Sequence, residues 1–459
     1  MTPSRGLTPA ISRGAGTLAA LLFCAASVGA QAPDAAVRRI IDSPQFKAAT
    51  VFLEKDHDRF VRELITLTEI PAPPFKEKQR AEAVLAMLRQ HKLSDVEMDP
   101  EGNVMGVWRG VGDSGLGARP SASSGRPEPA EGRGSGGERA MVAVLAHLDT
   151  VFPEGTDVKV KREGDRLSAP GVGDDTRGVA LLLLVIRAMS AAGLQTSSDI
   201  LFVGNVGEEG EGDLRGTKYL LQKGKYKDRI KQFIAVDGGD QSSITNGGVG
   251  SRRYRVTFKG PGGHSYGAFG LVNPAYAMAG AIAKFSRIAV PQKPKTTFNV
   301  GVVGGGTSVN SIPFEVHMDI DMRSESCAEL KKVDEQFLAI VRGAVDEENK
   351  AGSTREGRIS ADPKLIGDRP CGETPVTSPI VQTTAAVVTA FGLKPVFNIS
   401  STDSNLAMSL GIPAVTIGRG PGGRAHSLDE YTIVEPKADL HAAQVTLAII
   451  LAVSGFTGG

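Results

Sequence analysis

The chain has 459 residues, a formal net charge of +1, 41% hydrophobic residues and 22% charged ones, a globular composition with length enough for a large core. The near balance of 52 basic against 51 acidic residues argues against a dedicated nucleic-acid binder, which carries a basic excess. Collagen-like, disordered and disulfide-scaffold classes fail on the same composition.

Arg5 and Arg13 precede an apolar run over residues 18–26, and Ala30-Gln31-Ala32 follows as an A-x-A-like site. Residues 1–32 therefore read as a cleaved secretory signal, which predicts a secreted or periplasmic protein. The run is too short to span a bilayer, so no stable membrane insertion is expected. Phe23 is too bulky for the position before a lipidated Cys24. The mature chain keeps Cys327 and Cys371, and the sequence leaves their pairing open. Two further apolar stretches read as core helices: residues 178–194 contain Arg187, and residues 445–453 are too short to span.

Residues 113–138 are rich in Gly, Ser, Pro and Arg and read as a flexible surface insertion. It joins strand-like runs at 103–108 and 141–148, which are expected to be neighbours. From Met141 the pattern alternates: strand 141–148, helix 179–189, strand 200–206, helix 217–223 and strand 233–236. Such alternation predicts a mainly parallel sheet flanked by helices, with ligands bound beyond the carboxyl ends of its strands.

Residues 251–368 change character. They read as strand 254–258, a helix from Pro274, strands 297–303 and 315–322, a helix from Ala328 and strand 357–361. Asn273 before Pro274 is an N-cap signal, and Ser326 with Glu329 has capping-box spacing. The order β-α-β-β-α-β is ferredoxin-like. After Pro379 come a helix to Phe391 and strands 394–399 and 413–417. The fold class is therefore α/β, a mainly parallel sheet with an inserted ferredoxin-like α+β lid. The expected divisions are residues 33–250 and 368–459 for the catalytic domain and 251–367 for the lid.

Each strand end carries polar chemistry. Strand one ends in His147-Leu148-Asp149, whose first and third side chains share a face. Gly171-Val172-Gly173-Asp174-Asp175 precedes the crossover helix, where acids also suit helix capping. Strand two ends in Glu208-Glu209 between glycines, strand three in Asp237, and a late loop holds His426. Clustered carboxylates with imidazoles need positive charge and suit zinc, or manganese or cobalt.

The ordered set HLDTV, GVGDDTRG, GEEGEG, VDGGD, GPGGHS, NSIP and AHSLDE resembles the zinc exopeptidase superfamily of peptidase T, carboxypeptidase G and the aminoacylases. The resemblance covers nearly all of the mature chain. It implies two Zn2+ ions, with Co2+ or Mn2+ as substitutes. One is held by His147, Asp174 and Asp237, the other by Asp174, Glu209 and His426. It also implies that Asp149 orients His147 and that Glu208 is the general base of a hydrolysis by water. His264 supplies a transition-state contact from the lid, across a homodimer in dimeric members. Asn310 touches substrate, and Arg323 matches an arginine that some members use for a substrate carboxylate. Thr176 stands where many members have Lys. The wording around Asp237 and Gly418 is more like peptidase T than carboxypeptidase G, which favours aminopeptidase action on short peptides. Carboxypeptidase action and hydrolysis of N-acyl amino acids are the alternatives on the same site.

Three other readings are weaker. Gly263-His264-Ser265-Tyr266-Gly267 matches the G-x-S-x-G elbow of serine hydrolases, but the next helix starts only at Pro274. A non-catalytic peptide- or metal-binding relative would lack a ligand or the base, and all are present. The glycines at 301–306 lack dinucleotide-loop spacing.

Overall fold

The computed structural model describes residues 31–111 and 139–458. The signal pattern at 1–30 and the insertion at 113–138 lie outside the described residues; Gln31 and Ala32 already belong to the helix Gln31–Asp42.

A nine-stranded mixed sheet forms the centre. Met141–His147 pairs in parallel with Asp199–Asn205 on one side and Ile230–Gly238 on the other, and Ala414–Gly418 continues the parallel run beside Ile230–Gly238. These strands are nearly continuous Val, Ile, Leu, Ala and Phe and are buried, as strands covered on both faces must be. Val104–Trp108 lies antiparallel to Asp199–Asn205. The strands flanking residues 113–138 are thus not neighbours: Asp199–Asn205 separates them. Local alternation fixes that each run is a strand but not its place in the sheet.

One face is covered by Thr176–Ala192, by Pro436–Ser454 and by the N-terminal helices Pro44–Lys55 and His57–Thr68. Thr176–Ala192 is buried almost all round because the sheet lies beneath it and helices lie above it. Pro436–Ser454 is, among the described residues, the one helix long and apolar enough to cross a membrane. It packs into this core instead, with Ile449 and Ile450 buried.

Gly250–Lys259, Thr296–Gly305, Glu315–Ser324 and Ser360–Arg369 form a separate antiparallel four-stranded sheet. Gly250–Lys259 and Glu315–Ser324 are its inner strands. The helices Pro274–Phe285 and Cys327–Ala351 share one core with it through Phe258, Phe285 and Phe337. Asn273 caps the first helix by accepting the Ala275 N–H at 2.9 Å. Ser326 caps the second by accepting from Glu329. The last strand runs later than the predicted 357–361. Gly357 takes a positive φ of 139°, and the Asn349 side chain satisfies both main-chain groups of Ile359, so ladder pairing starts only at Ser360. A disulfide joins Cys327 to Cys371, with Cα atoms 5.6 Å apart.

Candidate metal centre

The carboxyl ends of the central strands converge on one edge of the sheet. Met141–His147 ends in its histidine, Asp237 stands near the end of Ile230–Gly238, and Glu208 and Glu209 follow Asp199–Asn205. The adjacent acids Asp174 and Asp175 divide their work. Asp175 caps Thr176–Ala192 through the Gly178 N–H and accepts the His147 N–H at 3.1 Å. Asp174 faces the cavity. Its loop is set by Glu430, whose carboxylate accepts the N–H groups of Gly171, Gly173 and Asp174 at 2.7–3.0 Å.

Asp174 stands between two histidines. Its Oδ1 is 3.1 Å from His147 Nε2, and its Oδ2 is 3.2 Å from His426 Nε2. His426 Nε2 is also 2.8 Å from Glu209 Oε1, and His147 Nε2 is 3.7 Å from Asp237 Oδ1. The donor atoms of His147, Asp174 and Asp237 lie within 4.8 Å of one another, and so do those of Asp174, Glu209 and His426. His147 donates from Nδ1 to the Asp149 main-chain carbonyl at 3.0 Å, which leaves Nε2 facing the carboxylates. The Asp149 carboxylate instead accepts the N–H groups of Glu208 and Glu209 at 3.0 and 2.7 Å.

The electrostatics share one direction. Hydrogen bonds from the His426 ring to the Asp174 and Glu209 carboxylates push His426 up to about 10. Burial opposes charge on His147, yet Asp149, Asp174 and Asp237 raise it well above the usual histidine range. Burial also works against the Asp174 anion, but Arg419 and the two histidines hold it well below the usual carboxylate range. Burial pushes Glu208 well above its ordinary value against the pull of Arg369. This pocket draws in positive charge. Carboxylate and imidazole donors at this spacing are those that hold a divalent cation.

Two arginines that no motif flagged complete the site. Arg369, at the end of Ser360–Arg369, donates to Glu208 Oε1 at 2.9 Å and to the Glu208 carbonyl. Arg419 follows Ala414–Gly418 and donates from Nη1 to the Asp237 carboxylate, to the Asp237 carbonyl at 2.9 Å and to Asp174 Oδ1 at 3.2 Å. The Asp174, Glu209 and His426 set fits a cation as it stands, whereas Asp174 Oδ1 and Asp237 Oδ1 of the His147 set already accept from Arg419.

A cavity of about 410 Å³ opens over these groups, lined by Asp174, Glu208, Glu209, Asp237 and His426, and by Arg253, Arg323, Arg369 and Arg419. Arg323 enters it from the four-stranded unit, with Nε held by Asp321 at 2.7 Å. His264 and Asn310 are not brought to this cavity. They sit together at the exposed tip of the four-stranded unit, where Gly263–His264 pairs with Ser311–Ile312 and the Ser265 N–H donates to the Asn310 carbonyl.

The model of peptidase family M20/M25/M40 matches residues 143–452 of this chain. Carboxypeptidase G2 of Pseudomonas sp. (strain RS-16) is 25% identical over 194 residues, 42% of this chain and 46% of that protein. The match thus spans about half the length of that curated relative. Aminopeptidase PepT from Bacillus cereus ATCC 10987 superposes with a TM-score of 0.65 at 20% identity, over 86% of this chain and 98% of that one. The Bacillus subtilis YXEP protein, a dinuclear metal binding peptidase from the M20 family, gives 0.59 at 16% identity, over 87% and 99%. At these identities the likeness is one of fold, and the central sheet with its helices is that of these peptidases.

Proposed function

The chain belongs to peptidase family M20/M25/M40, and from that membership we propose a divalent-metal-dependent exopeptidase that hydrolyses short peptides, aminopeptidase-like in its choice of bond. The observation that carries the metal dependence is Asp174 with one oxygen toward each histidine, at 3.1 and 3.2 Å. Zn2+ is the proposed ion, with Co2+ or Mn2+ able to replace it, held by Asp174, Glu209 and His426. The resemblance implies a second ion at His147, Asp174 and Asp237, where Arg419 stands against the same oxygens. A bound cation supplies Lewis acidity to water and to the scissile carbonyl.

The residues then do the following. Glu208 takes a proton from the attacking water and returns it to the leaving amine. Its burial favours the protonated form once the proton arrives. Asp149 holds Glu208 and Glu209 by their main chain, so that the base and the metal-binding acid keep one spacing. His264 and Asn310 reach substrate only from another subunit or after movement of the four-stranded unit, and a homodimer is proposed on that basis. The apolar run at 18–26 and the Cys327–Cys371 disulfide support a secreted or periplasmic location.

A second reading has its own support. Four arginines line the cavity, and Arg323 keeps its terminal nitrogens free of the Asp321 contact at Nε. That arrangement favours a substrate carboxylate, as in carboxypeptidase action or hydrolysis of an N-acyl amino acid. A panel of short peptides and N-acyl amino acids read by mass spectrometry, with Glu208→Gln as control, separates these. Turnover that survives both Glu208→Gln and chelators would sink the metallohydrolase reading, and no turnover at all would favour a binding protein on this fold.

A further inference from the structure

We propose that Arg419 is a built-in cation that fills the position beside His147, so that the chain holds one divalent ion, at Asp174, Glu209 and His426. This rests on the metallohydrolase reading and narrows it from two ions to one.

The geometry is direct. His147 Nε2 faces Asp174 Oδ1 and Asp237 Oδ1. Those same two oxygens accept from Arg419 Nη1, and Asp175 Oδ1 lies 3.8 Å from it. An ion at this position would stand about 2.0–2.2 Å from each oxygen, and both oxygens already accept from the Arg419 guanidinium. A guanidinium and a divalent cation also repel, and neither can give up its charge. At the other position Asp174 Oδ2 and Glu209 Oε1 each face His426 Nε2, and among the described residues no arginine donates to either oxygen.

Arg419 is anchored on both sides of its Cα. Its N–H donates to the Gly238 carbonyl at 3.3 Å, and its carbonyl accepts from Arg177 Nε at 2.9 Å. Arg177 is fully buried and is itself tied to Thr432, Ile433 and Asp439. The preceding Gly418 sits so close to the Asp240 carbonyl that an added Cβ would lie 2.0 Å from it. The stem of Arg419 therefore starts from a fixed point at the rim. Its charge cancels one of the two aspartates that a metal would otherwise neutralise, and it positions both.

Metal content tests this without reference to turnover. The full chain is loaded with Zn2+, freed of excess by dialysis, and counted by mass spectrometry of the metal alongside calorimetric titration. The expected count is one per chain. It falls to zero in His426→Ala and rises to two in Arg419→Ala, while Arg419→Lys stays at one. A wild-type count other than one overturns the proposal. So does a single ion that survives His426→Ala but is lost in Asp237→Asn, or an unchanged count in folded Arg419→Ala. If Arg419→Ala does not fold, the wild-type count and His426→Ala decide. One bound ion with no hydrolysis of any substrate would undo the hydrolase reading and leave this one standing.

Discussion

The Asp149 carboxylate accepts the main-chain N–H of Glu209 at 2.7 Å and that of Glu208 at 3.0 Å, while its own carbonyl accepts from His147 Nδ1. One buried residue therefore registers two strand ends against each other. Asp149→Ala strands two buried donors, which costs about 2 kcal/mol or more. Guanidinium unfolding should show that loss, with Zn2+ affinity falling in parallel. Asp149→Asn retains an acceptor oxygen and should lose less on both measures.

Glu208→Gln keeps the volume of the side chain and an oxygen for Arg369. Its fold and thermal midpoint should stay near wild type. Turnover should drop roughly 10²- to 10⁴-fold, the span of general acid–base contributions, with KM little changed. Steady-state kinetics on whichever peptide the panel selects will read this.

Arg177 pairs with Asp439 inside the protein, and Asp439 also stands 2.9 Å from His57 Nε2. Removing the guanidinium leaves a buried carboxylate short of its partner. Arg177→Ala should therefore lose about 3–5 kcal/mol in a denaturant titration, far more than an exposed arginine substitution.

Ser265 lies at the tip of the four-stranded unit, away from the cavity lining. Ser265→Ala should hydrolyse peptides at the wild-type rate and remain sensitive to chelators. Loss of all activity with no metal dependence would revive the serine-elbow reading.

Cys327 and Cys371 close a loop with a sequence separation of 44. The chain-entropy argument gives such a closure about 4 kcal/mol. The double variant Cys327→Ser with Cys371→Ser should unfold at lower denaturant, and a reductant should shift wild type the same way.

Much of this site was legible because parallel strands deliver their chemistry at one edge. His147, Glu208, Glu209 and Asp237 each follow a buried apolar run, so local pattern alone placed them together. The acidic pair before Thr176–Ala192 supported both a cap and a ligand, and in the structure Asp175 caps the helix while Asp174 lines the cavity. Arg369 and Arg419 carried no such signal. Their partners Glu208 and Asp237 are 161 and 182 residues distant in sequence, and a lone arginine at a strand end has no periodicity to betray it. The order of strands across the sheet was hidden for a similar reason, since pairing of Val104–Trp108 with Asp199–Asn205 is a long-range contact.

The chain enters and leaves the four-stranded unit at one place. A Cβ at Gly250 would lie 2.8 Å from the Cβ of Cys371, so the two crossings touch, and the disulfide ties the second to the long helix at Cys327. Distance from that neck sets how far each residue of the unit would travel in a rotation about it. Along Gly250–Lys259, at ~3.3 Å per residue, Arg323 opposite Ser251 stands about 3 Å from the neck, Arg253 about 10 Å, and the far end about 30 Å out. A rotation about the neck would carry the far end of that strand roughly three times as far as Arg253 and further still relative to Arg323.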